Sequence, residues 1–178
     1  AYVPRHHRSL ILLAGQDMLV GSLGWLSLAL WELGYPNQAL DRGIEALARA
    51  EQLQHSSSLA FALFSTGTSL HLLRGEIRAA EAAAVQLLHV ANEYGCWCYH
   101  GWAHFVQGYV RLTRGESEEG LAQMCQGVEE WKHTGTTNGR IEQLLYLAEG
   151  YQCAGKLEKG LLALDEALAL VEVGGGHH

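Results

Sequence analysis

The sequence contains little that would interrupt a helix. Only two of its 178 residues are proline, and β-branched residues are few beside the many alanines and leucines. Proline breaks helices and β-branched side chains favour strands, so this composition favours helix over strand. The chain is also long enough to bury a sizeable core. We therefore expect an all-α globular protein.

Positive charge is scarce as well. The net charge is −7 and the isoelectric point is about 5.8, and no cluster of Lys and Arg offsets the excess of carboxylates. Nucleic acids and anionic membranes would meet net repulsion. The longest run without charge, from Met18 to Trp31, is too short and too rich in Gly and Ser to span a bilayer. We expect neither nucleic acid nor membrane as a partner.

Cysteine occurs only four times, which is too few for a disulfide framework in a chain of this size. A reducing cytoplasm is therefore the expected location. The start of the chain lacks the basic and then apolar design of a signal peptide. Residues 174–178, GGGHH, resemble a linker and the start of a His tag, and we exclude them from functional reasoning. We expect the chain to be a piece of a longer protein.

Glycine, in contrast, recurs at a regular interval. Gly34, Gly75, Gly115 and Gly155 lie 41, 40 and 40 residues apart. A glycine just after a helix can adopt the left-handed conformation that ends the helix and reverses the chain. Four such signals in register indicate a right-handed superhelical solenoid of antiparallel helix pairs.

Small residues occupy fixed positions around each turn glycine. The columns seven residues before it and five after it are always small: Ser27, Thr68, Gly108 and Ala148, then Ala39, Ala80, Gly120 and Gly160. The column twelve after it holds Ala46, Leu87, Gly127 and Ala167, and the next one holds Leu47, Leu88, Val128 and Leu168. Small residues let the two helices of a pair approach closely, while large ones fill the groove between them.

These columns predict a single domain over residues 1–173. It begins with an unpaired helix at about 4–13, followed by four repeats at about 17–54, 57–94, 97–134 and 137–172. The predicted helix pairs are 17–33 with 36–53, 57–74 with 76–93, 97–114 with 116–133, and 137–154 with 156–172. Pro36 suits the first turn of a helix, where its missing N–H costs nothing.

The pattern of small residue, turn glycine and small residue resembles tetratricopeptide repeats, in a longer form of about forty residues. Three segments, HRSLILLAGQD (7–17), LALWELGYPNQALDRGIEALARA (28–50) and RGESEEGLAQMCQGVEEWKHTG (114–135), carry a narrower resemblance. They look like the repeat region that follows a regulatory ATPase in bacterial proteins related to class III nucleotide cyclases and LuxR-type regulators. This resemblance implies a sensing or protein-binding module. No cyclase or nucleotide-binding motif is present in the sequence.

One cluster contains metal-ligand types: Cys96, Cys98, His100 and His104. On a helix, Cys96 and His104 lie about 12 Å apart along the axis, so one ion cannot bind both unless the helix start unwinds. His100 and His104 alone are one turn apart and would need further ligands. Ordinary packing at a helix start explains the cluster better, and we expect no metal and no cofactor.

Signs of catalysis are absent from the sequence. It has no Gly-x-Ser-x-Gly motif and no glycine-rich phosphate loop that ends in Lys-Ser or Lys-Thr. The adjacent carboxylates Glu118/Glu119 and Glu129/Glu130 are better explained as the solvated face of a helix. We expect a protein that is not an enzyme.

In tetratricopeptide superhelices the first helices of the pairs line a concave groove. Counting back from the turn glycines, the resemblance implies that the groove is lined by Trp31, Ser65, Ser69, Leu72, Trp102, Phe105, Tyr109, Leu112, Glu142, Glu149 and Gln152, the predicted groove residues. Trp102, Phe105, Tyr109 and Leu112 follow a 3, 4, 3 spacing and form one stripe. This stripe either faces the groove, where it would bind a peptide, or belongs to the core.

Three functions remain open. The first is a non-catalytic scaffold that binds a protein segment or another domain of the parent protein. The Lys/Asn/Arg set that holds a peptide carboxylate in chaperone-binding members of the family is missing, so an apolar or helical segment is the favoured partner. The second is a small-molecule sensor that controls an attached ATPase or output domain. The third is self-association, as a homodimer, through exposed terminal helices.

Overall fold

The computed structural model describes residues 15–136 and 139–175, and their regular structure is entirely helical, with no strand. The helices form two compact units that divide between Tyr99 and His100. The all-α prediction is therefore confirmed. The single-domain assignment stays a prediction, as does the predicted helix at 4–13, which lies outside the described residues.

The first unit contains two helix pairs. Helix α1 (Met18–Glu32) packs on α2 (Pro36–Leu53). The next helix has three consecutive parts, α3 (Ser56–Ala62), a π-helical segment (Leu63–Leu70) and α4 (His71–Leu73), and it packs on α5 (Ile77–Tyr94). A short 3-10 turn, Trp97–Tyr99, follows.

The second unit repeats this plan. Helix α6 (His100–Thr113) packs on α7 (Ser117–Lys132), and α8 (Arg140–Cys153) packs on α9 (Leu157–Gly175). Helix α8 also contacts both α6 and α7. The chain therefore buries a core between helices from neighbouring pairs as well as within each pair.

All four turn glycines have the predicted left-handed backbone. Their φ angles are +81° at Gly34, +70° at Gly75, +88° at Gly115 and +69° at Gly155. Each lies two residues after the end of the first helix of its pair, where a side chain would be strained. The periodicity of glycine therefore located the turns correctly.

Two helix starts differ from the prediction. The helix predicted to begin at residue 97 begins with a 3-10 turn and becomes α-helical only at His100. The helix predicted to begin at 137 begins at Arg140, after Gly139 in the left-handed conformation. A Cβ atom at Gly139 would lie 2.8 Å from the ring of Trp102, and the φ angle there is +74°, so the position just before α8 favours glycine.

The π-helical segment was not predicted. Within it, the hydroxyl groups of Ser65 and Thr68 donate hydrogen bonds to the carbonyl oxygens of Phe61 and Phe64, at 3.0 and 2.7 Å. These carbonyls belong to residues four positions earlier, so each hydroxyl competes with the backbone N–H that an α-helix would place there. Wider i→i+5 backbone bonds then become favourable.

Helices α6 and α7 approach closely enough for backbone contact. A Cβ atom at Gly120 would lie 2.7 Å from the Gly108 oxygen and the Leu112 nitrogen, and one at Gly127 would lie 2.5 Å from the Gly101 oxygen. The predicted role of the small columns is confirmed for this pair. The column of large residues behaves less uniformly, because Val128 is buried while Leu168 is 63% exposed.

Candidate functional site

The predicted groove residues of the first unit contribute little accessible surface. Ser65, Ser69 and Leu72 are buried, and Trp31 is partly buried. Ser65 packs beside Gly24, where a Cβ atom would lie 2.6 Å from the serine hydroxyl. This serine therefore lies in a tight helix–helix contact within the first unit.

The aromatic stripe of the second unit is also buried. Trp102 and Phe105 are fully inaccessible to solvent, and Tyr109 and Leu112 are nearly so. The Trp102 ring lies 5.6 Å from the ring of Trp131 and 5.7 Å from that of Phe105, centre to centre, which is the usual spacing of packed aromatic side chains. Of the two alternatives that the sequence left open, the structure favours the core.

The polar groove residues of the second unit lie at the edge of this core. The Tyr109 hydroxyl donates a hydrogen bond of 2.9 Å to a carboxylate oxygen of Glu149, and its ring lies 4.6 Å from that of Tyr146. Burial, together with this carboxylate, raises the pKa of Tyr109 well above its usual value. Glu149 and Gln152 are exposed, and Glu142 is partly buried. The tyrosine therefore stays neutral, and it anchors α6 to α8.

The residues weighed as metal ligands do not form a metal centre. Among residues 15–136 and 139–175, no three His, Cys, Asp or Glu side chains lie close enough to hold an ion. The Nδ1 atom of His104 lies 2.7 Å from a carboxylate oxygen of Glu130, and the His100 ring packs against the His104 ring. In the first unit, Cys96 lies 4.0 Å from the Ser57 hydroxyl.

Most of the exposed large apolar side chains among the described residues of the second unit lie on α9. Its small residues Gly160, Ala163 and Ala167 are buried. On the adjoining face, five large apolar side chains are 38–63% exposed and follow a 4, 3, 4, 3 spacing: Leu157, Leu161, Leu164, Leu168 and Val171. We call this set the α9 seam, because its spacing is that of a helix face that packs along another helix.

A row of carboxylates borders the α9 seam. Glu158, Asp165 and Glu172 are exposed and recur every seven residues, each directly after a seam residue. Within the part of the chain that the structure describes, none of the three has an ion-pair partner. The seam therefore combines an uncovered apolar face with unpaired negative charge along one side. The sequence predicted an exposed apolar face on the last helix, 156–172, but these five residues were not singled out, because the columns were counted only for contacts within a pair.

A cavity of about 330 Å³ lies between α7, α8 and α9. Its apolar wall includes Val128, Leu144, Leu147 and Leu162, and its charged rim includes Lys132, Arg140, Lys159, Glu129 and Glu166. Arg140 donates a hydrogen bond of 2.6 Å to Glu166, while its second terminal nitrogen is buried without a hydrogen-bond partner among the described residues. The cavity therefore has one buried donor and a mixed apolar and charged lining.

The chain was compared with membrane-spanning helices and with known proteins. None of the helices in the described residues is long and apolar enough to cross a membrane. No protein family, curated protein or solved structure matches the chain at a significant level. The resemblance to tetratricopeptide repeats therefore stays a prediction.

Proposed function

We propose that this chain is a non-catalytic protein-binding module, built as a tetratricopeptide-like solenoid and belonging to a larger cytoplasmic regulatory protein of bacterial type. The observation that carries the binding role is the α9 seam. Monomeric soluble proteins rarely expose a continuous apolar patch of this kind unless it binds a partner. The forty-residue repeat supports the solenoid, and the four unpaired cysteines agree with a reducing location.

This proposal moves the contact surface away from the aromatic stripe. Trp102 and Tyr109 are core residues here, so replacing them with alanine would loosen the fold before it affected any partner. Leu161 and Leu168 are more than half exposed and can be changed without opening a cavity. The seam variant Leu161→Gln/Leu168→Gln is therefore the informative change.

The test is affinity capture from lysate of the source organism. The unmutated chain and the seam variant are compared with a control variant, Leu33→Gln/Val85→Gln, which removes two other exposed apolar side chains. We expect a partner that the unmutated chain and the control retain and that the seam variant loses. Equal retention by all three chains would move the interface elsewhere, and no retained partner would contradict the binding role.

A second candidate function is a small-molecule sensor that controls an attached domain. The cavity between α7, α8 and α9 supports it, because its volume is at the lower end of the range for ligand sites and Arg140 offers a buried donor. A ligand that binds only the folded state raises the melting temperature. Thermal-shift screening of metabolites, repeated with Arg140→Gln, tests it. The sensor role predicts a ligand whose effect the variant abolishes.

A further inference from the structure

The face of α9 that forms the seam is covered in the preceding pair. Counted from the turn glycine, Leu161, Leu164, Leu168 and Val171 occupy the same columns as Leu121, Met124, Val128 and Trp131 of α7. Those four α7 residues are at most 3% exposed. Part of their cover is α8, since a Cβ atom at Gly150 would lie 3.2 Å from Leu121 and 3.5 Å from Met124.

The first unit uses the same columns in the same way. Gly43 of α2 is the counterpart of Met124 and Leu164, nine residues after its turn glycine. A Cβ atom there would lie 2.4 Å from the Thr66 side chain, in the first helix of the next pair. In both units, then, this face of the second helix of a pair receives the first helix of the pair that follows.

Charge at the edge of this face follows the repeat as well. Glu118, three residues after its turn glycine, forms an ion pair with Lys156, which directly follows the turn glycine after α8. Glu158 of α9 is the counterpart of Glu118, and it has no ion-pair partner within residues 15–136 and 139–175. A basic residue just beyond the end of an incoming helix would complete the same pair.

From these contacts we infer that the α9 seam binds an amphipathic helix of a protein partner. This inference rests on the proposed binding function and names the partner's chemistry. The helix runs antiparallel to α9, as α8 runs against α7. It carries a small residue opposite Leu161 and Leu164 and a Lys or Arg just past its C-terminal end, facing Glu158. Further basic residues along the same flank meet Asp165 and Glu172.

A second copy of this chain fits the seam less well. If two seams packed antiparallel, the carboxylates that border one would face those that border the other, because each row lies on the same side of its helix. Glu158, Asp165 and Glu172 would then be close to like charges with no basic residue between them. Charge along the seam therefore favours a basic helix over a homodimer.

The probe for this inference is a peptide of residues 139–156 with Cys153→Ser, labelled with a fluorophore. It contains α8, the helix that covers the equivalent face of α7, together with Lys156. We expect it to bind the full chain saturably, with a dissociation constant on the order of micromolar to tens of micromolar, by fluorescence anisotropy. The seam variant Leu161→Gln/Leu168→Gln is expected to bind at least tenfold more weakly.

Two matched changes distinguish the proposed geometry from general stickiness. A Gly150→Leu peptide places a large side chain against the seam and is expected to bind about tenfold more weakly. Glu158→Lys in the chain is expected to lower the affinity for the unmodified peptide about threefold. A Lys156→Glu peptide is expected to restore the affinity for this chain variant. Restored affinity after the charge exchange cannot be explained by unfolding of the chain variant. Circular dichroism checks the helix content of each chain variant.

Any one of three outcomes would overturn the inference. The first is the absence of saturable binding up to about 1 mM peptide, and the second is equal binding of the peptide by the seam variant. The third is a homodimer, detected by light scattering, that depends on the seam and excludes the peptide. The proposed function is judged separately, by the captured partner. If the seam variant loses that partner while no peptide binds, the binding role stands and the helical occupant is wrong. If the partner is retained and no peptide binds, both are wrong.

Discussion

Helices α7 and α9 present the same columns of the repeat and meet opposite environments. Leu121 of α7 is 3% exposed and Leu161 of α9 is 54% exposed, although both lie six residues after a turn glycine. The residue types on the two faces are equally apolar. Burial along this face is therefore decided by whether a further helix packs on it. An uncovered copy of a covered face indicates the kind of partner it can take.

The largest expected difference between the two faces is the loss of unfolding free energy when a leucine is replaced by alanine. Leu121→Ala leaves a cavity under α8 and is expected to destabilise the chain by about 2–5 kcal/mol. Leu161→Ala removes a side chain that is already half in water, and its cost is expected to be below about 1 kcal/mol. Urea denaturation of both variants measures the contrast. Similar losses at the two positions would mean that the α9 seam is covered in solution.

A second contrast concerns how closely the two helices approach each other in the α6–α7 pair and in the α8–α9 pair. Gly120 and Gly160 share a column, but a Cβ atom meets backbone at 2.7 Å in the first case and at 3.1 Å in the second. Gly120→Ala is expected to cost about 1–3 kcal/mol, since backbone atoms cannot move aside. Gly160→Ala is expected to be nearly neutral, because the helix propensity of alanine offsets a small clash. Thermal denaturation compares them, and equal costs would contradict the tighter packing of α6 on α7.

A smaller contrast concerns the ion pair at the edge of each face. Glu118→Gln removes the partner of Lys156 and is expected to cost about 0.2–1 kcal/mol, as exposed pairs do. Glu158→Gln is expected to leave stability unchanged in the free chain. Denaturation at low and at high salt provides the measurement, because screening should remove the effect at Glu118. A loss at Glu158 of the same size would show that this carboxylate is already paired.

The smallest expected effect is a dependence on pH. His100 and Arg140 share the column fifteen residues before a turn glycine, and imidazole is a side chain whose charge changes near neutral pH. Burial, reinforced by His104 and opposed by Glu130, lowers the pKa of His100 from its usual 6.5. The unfolded chain therefore binds more protons just below pH 6.5. The contribution of neutral His100 to the free energy of unfolding is therefore fully present above pH 6.5. It is lost as the pH falls below 6.5 and through the lowered pKa of the folded state.

Replacing His100 tests this assignment. His100→Gln is expected to flatten the pH dependence of stability between about pH 5 and 7, whereas Arg140→Gln should shift stability equally at every pH in that range. Denaturation midpoints across the range provide the readout. A slope that His100→Gln leaves unchanged would assign the dependence to another group.

The four turns between helices were predictable from the sequence because glycine has few substitutes in a left-handed conformation. The four turn glycines follow directly from that constraint, and the small residues at Gly108 and Gly120 follow from the close approach of α6 and α7. The π-helical segment was not predictable in the same way. Ser65 and Thr68 are ordinary helix residues by type, and the sequence does not show that their hydroxyls bond to the carbonyl oxygens of Phe61 and Phe64 or that Ser65 packs beside Gly24.

The candidate site was harder to predict than the fold, because an apolar stripe has the same sequence pattern whether it is covered or exposed. Trp102 and Tyr109 were expected to line a groove or a core, and the structure places them in the core. The leucines of α9 show the same helical periodicity with the opposite exposure. Periodicity identifies a face that can be buried, but the neighbouring helix decides whether it is buried.

The central claim, that the α9 seam is a docking face for a helix, is tested most directly by methyl NMR of the full chain. Leucine methyl groups are observed while the 139–156 peptide is added. The account predicts that Leu161, Leu164 and Leu168 shift together and saturate, while the buried Leu112 and Leu121 stay unchanged. Shifts confined to Leu112 and Leu121, or no shift on α9 at saturating peptide, would contradict it.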